Sequence, residues 1–344
     1  MTNLTPLLDK KTKNEEDILL EIQDLVVEYP TDEGNVRAVD KVSLKLKRGE
    51  VLGLVGESGC GKSTLGFTIL RLLKGGRIRS GKIIFDEKDL AQLSEPELQR
   101  LRGLDISMIF QASQNALNPL QKISGHFKDT LKVHDKYSHE KWMEVLELLR
   151  RLEISESRIN DFAFQFSGGM QQRIVIALTL ILNPKLIIAD EPTTALDVLV
   201  QARLIKILKE IISDFSLTVI YITHDLGVVA ELTERVAIMY AGQIIELTDT
   251  FTVFKNPAHP YTRALVSAIP NVKDESKKKL EFIPGRPPNL KNPPKACCFA
   301  DRCKYTIDEP CKTIRPENLL IDDQHIVKCH MYDEKYKSLF GSSL

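Results

Sequence analysis

A doubly wound α/β fold is predicted for this 344-residue chain by three observations. Short, continuously apolar runs recur at Val51–Val55, Leu186–Ala189 and Leu217–Ile222, the pattern of strands buried on both faces. Helical stretches alternate with these runs, which is the order of a parallel sheet wrapped by helices. A glycine-rich loop closes the first run and opens into a helical sequence. With 43% hydrophobic and 27% charged residues the chain can bury a core. Its length corresponds to about two domains.

Residues 1–17 are polar, with Lys10, Lys11, Lys13, Glu15, Glu16 and Asp17, and lack the apolar run of a signal peptide. From Ile18 to Leu46 the apolar positions alternate, as in Leu20–Tyr29 and Val42–Leu46, so half-buried antiparallel strands flank a Pro/Asp/Gly turn. Between Gln111 and Leu182 the reading is mainly helical. Glu140–Leu152 carries one apolar face of Trp142, Val145, Leu146, Leu148 and Leu149. Ile174–Leu182, the strongest apolar stretch, has nine residues, whereas a membrane span takes about 20. The chain is therefore expected to be soluble and to meet a membrane only through partners. After Glu246, prolines at 257, 260, 270, 284, 287, 288, 293 and 294 predict little regular structure, and the stretch reads as a linker into a small cysteine-rich module. No internal repeat is present, so one nucleotide-binding unit is expected. Forty-seven basic residues balance 47 acidic ones, which argues against a general nucleic-acid binder.

The chemistry begins at Gly56-Glu57-Ser58-Gly59-Cys60-Gly61-Lys62-Ser63, followed by Thr64. The motif G-x-x-x-x-G-K-[ST] lies here between a strand and a helix, the context it requires. Glycines let backbone N–H groups wrap phosphates, the helix N-terminus adds positive potential, and Lys62 reaches the β- and γ-phosphates. The Ser63 hydroxyl is the expected Mg²⁺ ligand, and Cys60 reads as a small filler. A second element is Asp190-Glu191 at the end of the apolar run Leu186–Ala189. Asp190 would hold the Mg²⁺ shell, and Glu191 would orient or deprotonate the attacking water. His224 closes the run Leu217–Thr223, in reach of a γ-phosphate.

Phe166-Ser167-Gly168-Gly169-Met170-Gln171-Gln172-Arg173 resembles the signature motif of ABC ATPases, with Met170 where many members carry Gln. Gln111 after Ser107–Phe110, Ala195-Leu196-Asp197, and His224 complete a set whose order is similar to that family over about residues 18–250. The resemblance implies a P-loop NTPase (RecA-like) core of ABC type at 18–255, with an antiparallel β subdomain and a helical subdomain at about 112–182. It implies ATP and Mg²⁺ as ligands, with Gln111 at the Mg²⁺ and near permease helices. Tyr29 would stack on adenine. Ser167, Gly168 and Gly169, at the start of a helical run Met170–Leu182, would clamp the ATP held by an opposing subunit's phosphate loop, and Asp197 would lie nearby.

Asn256-Pro-Ala-His-Pro-Tyr-Thr262 and Ile283-Pro-Gly-Arg-Pro-Pro288 resemble the C-terminal extension of oligopeptide/dipeptide importer ATPases, here 256–344. That implies a second, distinct ATPase subunit, two transmembrane permeases and an extracytoplasmic binding protein, at the cytoplasmic face of the membrane. Peptides are the family's usual cargo, with oligosaccharides as the live alternative and nickel complexes a further one. A non-transport ABC ATPase is the rival from another class, but the coiled-coil insertions and paired units of such proteins are absent from the sequence.

Five of the six cysteines crowd the tail: Cys297, Cys298, Cys303, Cys311 and Cys329. In a chain without export signals this reads as a metal or cluster site. The resemblance implies a [4Fe-4S] cluster on Cys297, Cys303, Cys311 and Cys329. Four thiolates also suit Zn²⁺, and His330 leaves a mixed site open. Cys298 stands where the family commonly has Pro, so it is an alternative first ligand.

Overall fold

The computed structural model describes residues 17–193, 196–269, 283–291 and 293–343. In chain order the strands are β1 (Ile18–Thr31), β2 (Gly34–Lys47), β3 (Val51–Val55), β4 (Arg77–Phe85), β5 (Lys88–Asp89), β6 (Ile106–Ile109), β7 (Leu186–Asp190), β8 (Thr218–Thr223), β9 (Arg235–Tyr240), β10 (Gln243–Asp249), β11 (Leu319–Asp322) and β12 (His325–Val327). The α-helices are α1 (Lys62–Ile69), α2 (Glu95–Leu101), α3 (Ile123–Val133), α4 (His139–Arg151), α5 (Gly168–Leu180), α6 (Val198–Phe215), α7 (Leu226–Leu232), α8 (Thr250–Lys255) and α9 (Pro260–Ser267). They pack into two compact units. One holds Lys47–Val51 and Leu93–Tyr221 with Asp17 and Ile18; the other holds Leu19–Leu46, Leu52–Gln92 and the described residues from Ile222 on.

In the first unit β6 and β7 pair in parallel, Ile106 opposite Leu186 through Ile109 opposite Ala189. Every residue of β7 is buried, as its unbroken apolar run requires. From residue 112 to 182 the regular elements are α3, α4, α5 and short 3-10 turns, with one isolated bridge between Lys122 and Phe162. α4 follows its sequence face: Val145, Leu148 and Leu149 are buried, and the Ser138 hydroxyl caps the start by accepting from Lys141 N–H. Gln172 to Ala177 are all buried in α5, so its apolar stretch is an enclosed core helix.

The second unit carries a four-stranded sheet in the order β2-β1-β4-β5. β2 alternates cleanly, with Val42, Leu44 and Leu46 inside and Lys41, Ser43 and Lys45 outside. β1 is irregular at Asp24, whose φ of 43° accompanies a register shift against β4. In the same unit β3 runs parallel to β9, Leu52 opposite Arg235 through Val55 opposite Ile238. β9, β10, β12 and β11 continue the order antiparallel.

Two expectations for the tail are corrected here. Regular structure was not expected among the prolines, yet α9 begins at Pro260. Proline fits the first helical position because its missing N–H has no partner there, and His259 Nδ1 caps the helix by accepting from Tyr261 N–H at 3.0 Å. The cysteine-bearing segment also does not stand apart as a separate module. β12 pairs with β10, Glu246 opposite Val327 and Leu247 opposite Ile326. Beneath this pairing the buried Glu246 accepts from Ala258 N–H at 2.7 Å and His259 N–H at 2.9 Å, and pairs with His325 Nε2 at 2.8 Å. Burial alone would raise its pKa, but these bonds outweigh it and hold the carboxyl below its usual range. The proline-rich link itself, 270–282, lies outside the described residues.

Candidate functional site

The phosphate loop joins β3, buried throughout, to α1. Two of its glycines are fixed by close approach. A Cβ on Gly56 would lie 2.1 Å from the Met239 carbonyl oxygen. One on Gly61 would lie 2.2 Å from the Ala38 carbonyl oxygen, and Gly61 also has φ 107°, a conformation side chains disfavour. The loop can thus take this path only without side chains at those positions. Gly59 differs, since its Cβ would meet nothing within 4 Å, although its φ is +79°.

Lys62 is 5% exposed, and its ammonium donates to the carbonyls of Gly56 at 2.7 Å and Glu57 at 3.0 Å. Its charge is therefore centred over the loop. Cys60 is buried beside it, and burial pushes the thiol pKa up, so it remains a neutral filler. Ser58 and Gly59 are exposed at the loop's tip, and Ser63 and Thr64 are half-buried in the first turn of α1. Tyr29 lies within β1 with its ring against Gly76, where a Cβ would come within 2.7 Å of it. His224 follows β8 and is exposed.

In the first unit, Asp190 is the last residue of β7 and 1% exposed. Glu191 follows with φ 47°, a left-handed backbone that costs a non-glycine residue about 1–2 kcal/mol. Held strain of this kind is common at reactive sites. Gln111, just past β6, donates from Nε2 to Glu191 Oε2 at 3.4 Å. Gln111, Asp190 and Glu191 are thus gathered at the ends of the paired strands β6 and β7.

Ser167 is the N-cap of α5, its hydroxyl accepting from Met170 N–H at 3.4 Å. The helix starts at Gly168 and ends at Leu180, so the expected run Met170–Leu182 is corrected: both glycines lie inside the first turn. Ser167 and Gly168 are exposed there, and Gly169 is half-buried against Val200 and Leu196. Asp197 is the N-cap of α6, accepting from Leu199 and Val200 N–H at 3.1 and 3.0 Å. Next to it Val198 and Leu199 are 81% and 83% exposed. Ala195, expected in the same loop, lies outside the described residues.

The tail brings four of its cysteines together. Cys297, Cys303, Cys311 and Cys329 line one small cavity with His330, Thr306, Phe299 and Phe340; Cys298 is not among its lining residues. Cys298 is buried instead on the side of Val236, Tyr240 and Ile245. All six cysteines are free thiols. Burial pushes Cys303 up to about 11 and Cys329 up to about 12, so either is a thiol at neutral pH unless a metal displaces its proton. His330 Nδ1 and Thr306 Oγ1 are buried with no hydrogen-bond partner. Among the described residues no group of three or more His, Cys, Asp or Glu is arranged to hold a metal ion.

Glu57, Tyr261 and Arg302 escaped sequence reasoning. Arg302 donates to both Glu57 carboxylate oxygens, at 2.8 and 3.0 Å, and Glu57 N–H donates to the Tyr261 hydroxyl at 3.1 Å. Their separation along the chain leaves no local signal; the one hint is the place of Arg302 immediately before Cys303.

The family model described as "ABC transporter" matches residues 39–194, and that described as "Oligopeptide/dipeptide transporter, C-terminal region" matches 245–311. The chain is 42% identical over 321 residues to a dipeptide transport ATP-binding protein, DppD, of Caldanaerobacter subterraneus subsp. tengcongensis, covering 92% of this chain and 98% of the relative. It is 43% identical over 316 residues to the oligopeptide transport ATP-binding protein OppD of Bacillus subtilis, covering 90% and 88%. Among solved structures, a dimeric ATP-binding cassette in a post-hydrolysis state bound to ADP and Pi aligns with TM-score 0.59 and 31% identity, over 67% of this chain and 98% of that one. CbiO1 of Clostridium perfringens, part of an ABC transporter complex, aligns with TM-score 0.60 and 29% identity, over 70% and 92%.

Proposed function

The chain belongs to the ABC transporter family of ATP-binding proteins, and we infer from its site that it couples ATP hydrolysis to the import of di- or oligopeptides. One observation carries the chemistry: a phosphate loop centred on a buried lysine occurs in the same chain as an acidic pair whose second carboxylate is held by Gln111. The family and its cassette neighbours make the chain an ATPase. It works as a peripheral subunit at the cytoplasmic face of the membrane; among its described residues no helix is long and apolar enough to cross one.

In this reading the loop Gly56–Ser63 and Thr64 hold the phosphates through backbone N–H groups, Lys62 neutralises the β- and γ-phosphates, and Tyr29 stacks on adenine. Ser63, Asp190 and Gln111 offer hydroxyl, carboxylate and amide oxygens, a donor set suited to Mg²⁺. Bound there, Mg²⁺ supplies charge neutralisation of the phosphates. Glu191 accepts a proton from water as the water oxygen bonds to the γ-phosphorus and the bond to the ADP oxygen breaks. His224 contacts the γ-phosphate and steadies that water.

Ser167, Gly168, Gly169 and Asp197 serve the ATP of an opposing ATPase subunit. The exposure of Ser167 and Gly168 at the start of α5 supports this role, because a helix N-terminus favours an anion. That opposing subunit is a similar but distinct chain, giving a heterodimer beneath two permeases that receive cargo from an extracytoplasmic binding protein. The cassette is taken as 18–255, its helical part as about 112–182, and the extension as 256–344 after a polar tail 1–17; separate family matches over 39–194 and 245–311 support a division into cassette and extension.

Cys297, Cys303, Cys311 and Cys329 hold a [4Fe-4S] cluster. A shared cavity of four thiols supports this, and two buried polar atoms at its wall lack partners. Zinc on the same four thiolates is the alternative. Iron and acid-labile sulfide after anaerobic purification, lost in Cys297→Ala and retained in Cys298→Ala, is the expected result. Zinc without sulfide would refute the cluster. Cargo is tested by uptake into vesicles bearing the complete transporter: labelled peptides should accumulate on ATP addition, and uptake of oligosaccharides alone would replace the cargo.

A further inference from the structure

Glu57 occupies a variable position of the phosphate loop, yet it is held on every polar face. Its N–H donates to the Tyr261 hydroxyl at 3.1 Å, and its carbonyl accepts from Lys62 Nζ at 3.0 Å. Its carboxylate takes two parallel bonds from Arg302, at 2.8 and 3.0 Å. The Arg302 side chain is 6% exposed and that of Glu57 27%, so the pair is shielded from solvent, unlike an ordinary surface ion pair.

The orientation of Arg302 is itself over-determined. Its Nε donates to the Pro284 carbonyl at 2.8 Å, and Nη1 donates to the Tyr240 hydroxyl at 3.2 Å. Behind it Tyr240, Tyr261 and Phe299 form an aromatic cluster with centroids 4.7 to 5.5 Å apart. A planar guanidinium fixed in this way presents its fork in one direction, which a flexible ammonium cannot do.

We propose that Arg302 is a positioning residue for ATP binding: through Glu57 it fixes the path of the phosphate loop. The inference rests on the reading of that loop as the ATP site. The physical reason lies in the loop's geometry. A Cβ on Gly59 would meet nothing within 4 Å and Ser58 is exposed, so packing does little to restrain the loop's own tip. The cradle works only if its N–H groups already point inward, since ordering them on binding would consume affinity. Clamping Glu57 from outside the loop supplies that order. The clamp sits on the segment Cys297–Cys303, whose 3-10 turn Ala300–Arg302 places Arg302 directly beside a cavity-lining thiol.

The test is a double-mutant cycle at Glu57 and Arg302 in the full chain assembled with its transporter partners, reading KM and kcat for ATP and equilibrium binding of a fluorescent ATP analogue. Arg302→Gln and Glu57→Gln should each raise KM about tenfold with kcat changed less than about twofold, because pre-ordering acts on binding. The double variant should be no worse than either single one, and Arg302→Lys should fall between wild type and Arg302→Gln. A merely structural Arg302 would act through Pro284 and Tyr240 whatever residue 57 is, so additive losses overturn the proposal. Unchanged KM in the single variants overturns it too. Should Arg302→Gln fail to fold, Glu57→Gln still decides, because it leaves Arg302 and its other partners in place. A wild-type chain that binds no ATP refutes the ATP-site reading itself; normal wild-type binding with unaffected variants refutes only the clamp.

Discussion

Glu191→Gln is expected to lower ATP turnover of the assembled transporter by roughly 10²- to 10⁴-fold, the range over which a positioned general base acts. Glutamine has the size of glutamate and keeps an oxygen to accept the bond now made by Gln111 Nε2 at 3.4 Å. The left-handed backbone at φ 47° is imposed by the chain leaving β7 and is unaffected by the amide. What changes is proton affinity: a neutral amide cannot take a proton from water. Lys62, Ser63 and Asp190 are untouched, so ATP should still bind and hold the two ATPase subunits together. Phosphate release in a single turnover, with ATP-dependent association followed by light scattering, reads both halves of the expectation. Hydrolysis at the wild-type rate would remove Glu191 from the role of base.

Gly61→Ala is expected to weaken ATP binding about 100-fold, corresponding to roughly 3 kcal/mol of strain at a backbone held in a disfavoured conformation. The new methyl would lie 2.2 Å from the Ala38 carbonyl oxygen, and a backbone atom cannot rotate away as a side chain can. The residue must also keep φ near 107°, where a Cβ is unfavourable. Moving Gly61 displaces the start of α1, and with it the Lys62 and Ser63 groups that meet phosphate. Gly59→Ala is the matched control. It faces a positive φ of 79° but meets nothing within 4 Å, so its loss should be clearly smaller. Titration with a fluorescent ATP analogue gives the ranking. Equal affinities for Gly61→Ala and wild type would show that the loop does not follow this path when it binds nucleotide.

The parts legible in the sequence are those with local periodicity or a local motif. β3 and β7 are unbroken apolar runs because both their faces are buried, and α4 shows its face at helical spacing. The phosphate loop and the capping serine of α5 lie in contiguous motifs that can be read without knowing the fold. Misreadings arose where a local rule had two outcomes. Proline reads as a breaker, but at 260 it opens α9, because His259 supplies the cap and a first-turn N–H is dispensable. Sequence leaves Cys298 as an alternative to Cys297, whereas the fold places Cys297 on the shared cavity and buries Cys298 among Val236, Tyr240 and Ile245, off the cavity lining. The Glu57–Arg302 clamp spans 245 positions and was invisible for that reason. The left-handed turn at Glu191 was invisible too, since no glycine marks it.

The most direct test of ATP-driven peptide import is the ATPase rate of the complex reconstituted in lipid, with its second ATPase, permeases and binding protein. The rate should rise when the binding protein carries peptide and stay near basal when it is empty, and Glu191→Gln in this chain should sharply reduce the rise. A rate indifferent to peptide, or equal to that of the isolated chain, would contradict the coupling of hydrolysis here to peptide import.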